Sequence, residues 1–306
     1  LEDRVDIEQL YVGTKANILD HQRSGITTTS DTAEGSYALP GALDACDQAA
    51  QETGARAVLS FETTGRISPE NSALGLAENV NLIKKTRERN DGRITARIGV
   101  HTTYTCSTEL LQEVKKVADD LKVGYMMHHL DDRYHHFDTT KRFGLRPTRY
   151  LEKIGFLSPN LVLFHCSYID PIKDPAIFKE YDVKVAHNAE SNAIFSFWPN
   201  MVPLLEAGVT VGLGTDGQTF NYFETMRTAQ MIHRIRYENP EVIPDSQALR
   251  MATIEGAKAL QMEDQIGSLE VGKKADVVLL NTRSTVPVFE ANVINYIVGT
   301  CERIDV

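Results

Sequence analysis

VTVGLGTDG, residues 209–217, decides the fold. Its apolar positions run into glycines and a threonine and stop on a carboxylate, Asp216. A short apolar run of this kind reads as a buried parallel strand that carries one acid to the mouth of a sheet or barrel. Two other runs end on imidazoles. GYMMHH (124–129) reaches His128 and His129, and LVLFHC (161–166) reaches His165. Histidines and an aspartate at strand ends are the donors a metal-dependent hydrolase needs, since together they hold a dication and leave a position for water.

Working outward, further strand-like runs fall at 25–30 (GITTTS), 55–61 (ARAVLSF), 94–101 (ITARIGVH) and 183–188 (VKVAHN). Between them, residues 42–53, 78–89 and 110–121 carry apolar side chains at helical spacing. Strands that alternate with helices and are almost continuously apolar predict a parallel sheet covered on both faces. The expected fold is therefore α/β, a (β/α)8 TIM-like barrel at about 30 residues per unit. Residues 1–11 look helical and acidic, so the barrel's first strand is expected to lie before residue 1. Helices are expected at 221–239 and 245–260. IGSLEVGKKADVVLL then changes the character of the chain, with two turns and a short apolar strand. The predicted division is a hydrolase barrel over 1–265 and part of a small β-sandwich module over 266–306. Such a piece cannot close a sheet alone, which suggests a chain shortened at both ends.

The totals exclude several partners. With 32 basic against 42 acidic residues the net charge is −10, which repels phosphate backbones and anionic headgroups. Nucleic acid and membrane are not expected partners, because no apolar stretch reaches the roughly 18 residues of a membrane span. Cys46, Cys106, Cys166 and Cys301 are scattered and read as reduced thiols of a cytoplasmic protein.

By position, the strand-end groups able to do chemistry are His101, His128, Asp131, His165, His187 and Asp216. The donor set suits Zn2+, with Fe2+ or Mn2+ as alternatives. Each has a plainer alternative. A single strand-end histidine is more often structural than ligating, and Asp216 could cap a following helix. His135 and His136 read as a solvated loop, and His21 and His233 as helical residues without function.

With GVHTTYTCSTELL around His101, HHLD at His128, FHC at His165, HNAESN at His187 and EAGVTVGLGTDG, the chain resembles the amidohydrolase superfamily. Within it the likeness is to the triazine hydrolase, methylthioadenosine deaminase and guanine deaminase branch, closest to aminohydrolases associated with selenium metabolism. ALRMATIEGAKAL and IGSLEVGKKADVVLL extend it almost to the end. The resemblance implies one metal per subunit, bound by a first-strand His-x-His pair, a fifth-strand His and an eighth-strand Asp. Here the last two are His128 and Asp216. It implies that His165 bonds the metal-bound water or the developing oxyanion, and that Asp216 also takes the water's proton. Asp131 stands where a glutamate normally shuttles a proton to the leaving group. His101 and His187 would face a small-molecule substrate, and Trp198 with Phe197 could stack on a flat ring. A homodimer is the family expectation.

Three departures stand out. The His-x-His pair is absent, the glutamate is the shorter Asp131, and the residue after Asn188 is Ala189 rather than proline. No lysine lies near Val100-His101 to bridge two metals, which favours the single-metal form. The expected activity is deamination of a heterocycle or related small molecule. The alternatives are a chlorohydrolase acting on a triazine-like ring, and a degenerate barrel that only binds.

Overall fold

The computed structural model describes residues 4–282 and 287–306. The chain forms two compact units, one of residues 1–22, 28–129 and 134–161, the other of residues 23–27, 130–133 and 162–306.

In the first unit, helix α1 (Ile7–Arg23) precedes a parallel sheet built from β1 (Thr28–Ala33), β2 (Arg56–Thr63), β3 (Ile94–Ala96), β4 (Ile98–Val100) and β5 (Tyr125–His129). The register runs Thr28↔Arg56 to Ala33↔Phe61, Ala57↔Ile94, Thr63↔Val100 and Val100↔Met127. Helices α2 (Ala42–Thr53), α3 (Pro69–Arg89) and α4 (Thr108–Leu121) return the chain between strands. Their ends are written in the sequence. Ser68 accepts from Asn71 N ahead of Pro69, and Ser107 accepts from Leu110 N. Both satisfy amides that a helix start leaves unpaired. Gly54 closes α2 in the left-handed conformation, at φ 70°. Helices α5 (Arg133–Phe143) and α6 (Pro147–Lys153) follow β5.

The run expected as one strand at 94–101 is broken between β3 and β4 at Arg97. There the side chain of Asn79, fully buried on α3, replaces the ladder. Its Nδ2 donates to Phe61 O (2.9 Å), while its Oδ1 accepts from Phe61 N (2.8 Å) and Gly99 N (3.3 Å). One amide thus pairs backbone groups of β2 and β4 that burial would otherwise leave costly.

In the second unit, β6 (Leu161–His165), β7 (Lys184–His187) and β8 (Val211–Leu213) are parallel, with Val162↔Lys184 and His187↔Leu213 in register. Helices α7 (Asp174–Glu180), α8 (Ala189–Ile194) and α9 (Val202–Glu206) connect them, and α10 (Tyr222–Tyr237) follows β8. The helix expected over 245–260 is two, α11 (Asp245–Ala252) and α12 (Ile254–Ala259), interrupted at Thr253.

The segment expected to form part of a β-sandwich module, 266–306, is described except for residues 283–286. Among the described residues of that segment there is no strand. Val277, Val278 and Leu279 are exposed there. Residues 283–286 lie outside the described residues. The segment instead ends in α13 (Val293–Gly299), which Arg227 of α10 ties down through Val298 O (3.3 Å) and Cys301 O (2.8 Å). No described helix is long and apolar enough to cross a membrane.

Candidate functional site

In the first unit, three strands deliver side chains to one carboxylate. Glu62, on β2, has a side chain only 2% exposed. His101, one residue past β4, places Nε2 3.4 Å from Glu62 Oε1, and His128, on β5, places Nε2 3.3 Å from Oε2. The two rings meet edge to face at 5.5 Å. Glu34, just beyond β1, joins them, and Arg66 reaches Glu34 at 3.3 Å and Glu62 at 3.5 Å. Ligand atoms of Glu34, Glu62 and His101 lie within 4.8 Å of one another. Burial, and then the hydrogen bond and charge of Glu62, push the Glu34 carboxyl up to about 7. His101 is oriented by Thr105, whose Oγ1 is 2.7 Å from Nδ1.

Neighbouring strand residues face opposite ways, and β5 shows the result. His128 turns to Glu62, whereas His129 is buried with Nε2 3.0 Å from Thr148 Oγ1. The solvated loop expected at His135-His136 is instead part of α5. His135 is fully buried, 2.7 Å from Thr103 Oγ1, because α5 lays that turn against the end of β4.

In the second unit, His165 ends β6 and Asp216 follows β8, with His165 Nε2 3.9 Å from Asp216 Oδ2. The HNAESN segment and α8 hold both. Asn192 Oδ1 is 3.0 Å from His165 Nδ1, Asn188 Nδ2 is 3.4 Å from the same ring, and the Ser191 hydroxyl donates to Asp216 Oδ2. Three of these strand-end residues have left-handed backbones: His165 (φ 67°), Cys166 (φ 52°) and Asp216 (φ 52°). That conformation costs an L-residue roughly 1–2 kcal/mol. Gly214 must stay bare, since a Cβ there would lie 2.2 Å from Asn188 Oδ1.

His187 ends β7 but is wholly buried, its ring edge-on to His233 at 5.2 Å. Neither ring nitrogen of His187 has a hydrogen-bond partner. Desolvation first, then the neighbouring His233 and His165, hold it well below the usual imidazole range. His233 accepts from Met201 N (3.0 Å), and burial lowers it to about 4. Asp131 follows the left-handed Leu130 (φ 51°) and bonds the amide of Asp132 (3.0 Å). Trp198 is half exposed beneath the Arg236 guanidinium, at 5.6 Å.

The sequence reading did not single out Glu34, Glu62, Ser191 or Asn192. Glu62 carries the same signal as Asp216, an acid at the end of an apolar run, but the run read as a strand stops at Phe61, two residues short of the end of β2 at Thr63. Glu34 follows TTSDTA, too polar to read as a strand end.

Parallel strands with catalytic residue types at their ends define a class of metal-dependent barrel hydrolases. The chain belongs to the amidohydrolase family, which it matches over residues 1–300. It is 33% identical over 289 residues to the 5'-deoxyadenosine deaminase of Methanobrevibacter smithii, covering 93% of this chain and 65% of that protein. To the 5-methylthioadenosine/S-adenosylhomocysteine deaminase of Syntrophomonas wolfei it is 34% identical, covering 92% of this chain and 65% of that one. The chain thus spans about two thirds of the length of these relatives. An adenosine deaminase from Xanthomonas campestris, solved with bound zinc, superimposes with a TM-score of 0.85. The alignment is 23% identical and covers 98% of this chain and 68% of that one, which shows that the fold is shared.

Proposed function

We propose that the protein is a single-metal hydrolytic deaminase that replaces the amino group of an adenosine-type ring with oxygen and releases ammonia. The observation that carries this reading is the pairing of His165 with Asp216 at 3.9 Å, the carboxylate fixed by Ser191 and the imidazole by Asn192. The names of the relatives favour an adenosine-type substrate and ammonia, rather than halide, as the leaving group.

The donor types fit a dication such as Zn2+. His128, in the first unit, is a half-buried imidazole, and Asp216, in the second, is a half-buried carboxylate; each is of a residue type that holds such an ion. When bound, the metal supplies a water acidic enough to ionise near neutral pH. Asp216 takes the proton of the attacking water and His165 donates to the oxygen that gains negative charge. Asp131 passes a proton to the departing amine. The carbon–oxygen bond forms and the carbon–nitrogen bond breaks; ammonia leaves with one of the water's protons, and the other stays on the product. His101 and Trp198 are assigned to the substrate, and a homodimer is the proposed assembly.

Ammonia release from 5'-deoxyadenosine and 5'-methylthioadenosine, measured with metal content, tests the reading. Turnover should disappear in Asp216→Ala. An Asp216→Ala protein that keeps turnover and full metal would end it.

A further inference from the structure

We propose that Tyr104, Tyr134 and Phe137 form an aromatic strip that binds an apolar arm of the substrate, at the end of the molecule away from the amino group it loses. The inference rests on the deaminase reading for the identity of the substrate, and it concerns three residues to which that reading gives no task.

The strip is a chain of rings within the first unit. From His101 the ring centres step 5.7 Å to Tyr104, 5.5 Å to Tyr134 and 6.5 Å to Phe137. The first two contacts are edge to face, at 77° and 78°, a favoured aromatic pairing. Exposure rises along the same path. The His101 side chain is 13% exposed and Tyr104 is half-buried, whereas Tyr134 and Phe137 are 54% and 60% exposed. The rings therefore lead from the strand end out to solvent.

The strip is held from behind. Tyr104 also meets the ring of His135 edge to face at 5.4 Å, and His135 is fully buried against Thr103. Tyr134 and Phe137 stand three residues apart on α5, which puts them on one face of that helix. Rings with so few torsions lose little freedom when a ligand covers them. Single exposed apolar side chains are ordinary, but contiguous ones mark a binding surface.

The chemistry of the strip selects its ligand. Ring faces gain from burial and dispersion, and they give a charged group nothing to replace its water. Sulfur makes favourable contacts with aromatic rings. In an adenosine-type molecule the amino group of the base and the 5' position of the sugar lie at opposite ends. The 5' substituent is thus the arm that reaches the strip, and an alkylthio group suits it better than a polar one. The Lys141 ammonium lies 5.8 Å from the Phe137 ring centre, at the outer end, and leaves the inner rings to apolar contact.

The experiment is ammonia release from 5'-methylthioadenosine, 5'-butylthioadenosine and the equally long 5'-(3-carboxypropylthio)adenosine, with kcat and KM separated. A buried methylene is worth roughly a factor of four. In the wild type, kcat/KM should be at least tenfold higher for the butylthio compound than for the methylthio one, mainly through KM, and the carboxylate compound should gain less than about threefold. Tyr134→Ala and Phe137→Ala, both at exposed positions, should each cut the butylthio advantage to about threefold or less. Tyr37→Ala, at an exposed tyrosine of the same unit outside the strip, should keep it. An equal advantage in the wild type and both strip variants would overturn the proposal, as would a wild type that shows none or that favours the carboxylate arm equally. A strip covered by a second copy of the chain would show as a lower light-scattering mass in the variants with the advantage unchanged, which overturns it too. Failure of the deaminase reading looks different, with no ammonia from any of the three compounds. Calorimetric binding of the butylthio compound then decides, and equal affinity in the wild type and Tyr134→Ala would overturn the strip.

Discussion

The two units assemble their polar clusters in opposite ways. In the first, ionisable groups face one another: two carboxyls, two imidazoles and a guanidinium around Glu62. In the second, the ionisable pair His165 and Asp216 is held by uncharged donors and acceptors, the Ser191 hydroxyl and the Asn188 and Asn192 amides. A cluster of ionisable groups couples their titrations, as the raised Glu34 carboxyl shows. A frame of neutral dipoles fixes orientation and leaves the charges free to take part in chemistry.

The contrast can be broken first at Asp216. Its replacement by alanine should lower kcat by a factor of about 10^3 or more, since both metal donor and base are lost. A fall of less than about tenfold, followed by ammonia release, would make Asp216 a structural residue. In the first unit, Asn79→Ala should destabilise the protein by about 3 kcal/mol, because paired backbone groups of Phe61 and Gly99 lose their partner in the interior. Denaturant unfolding measures it, and a change under about 1 kcal/mol would show that water replaces the amide. A smaller effect is expected for Ser191→Ala, roughly 10–100-fold in kcat at unchanged metal content. Loss of metal in that variant would mean that Ser191 builds the site rather than aligns it.

The smallest effect is one of pH, and its sign differs between the units. Glu34 has its carboxyl raised from 4.5 to about 7, so the folded state binds more protons than the unfolded one between those values. Its contribution is present at acid pH and is lost as pH rises through 7. His187 and His233 are lowered from 6.5, His233 to about 4, so their contribution is present above 6.5 and lost as pH falls towards 4. In metal-free protein, Glu34→Gln should therefore reduce the loss of melting temperature on going from pH 5 to 7.5. An unchanged slope would show that Glu34 ionises normally.

Much of this was legible in the chain. Helix α2 was expected at 42–53 and is found there, because its apolar spacing and the glycine after it agree. All seven expected strand regions contain strands, since runs buried on both faces have few other solutions. The break at Arg97 was hidden, because it depends on Asn79 arriving from a different element. The short apolar strand expected in IGSLEVGKKADVVLL is not among the described strands, because a run of that length needs a neighbouring edge to pair with. At the site, strand-end histidines were found individually, but pattern does not record their depth. His187 and His128 look alike in sequence, yet one is fully buried and the other faces a carboxylate. Ser191 and Asn192 were quoted within HNAESN but not given their tasks, which follow only once α8 brings them back to His165 and Asp216.

The left-handed backbone at Asp216 has a consequence for the history and engineering of this chain. Glycine would occupy that turn at no conformational expense, so Asp216→Gly should melt later than Asp216→Ala. Random mutation screened for thermal tolerance alone would thus tend to erase the acid, and only a requirement for turnover would keep it.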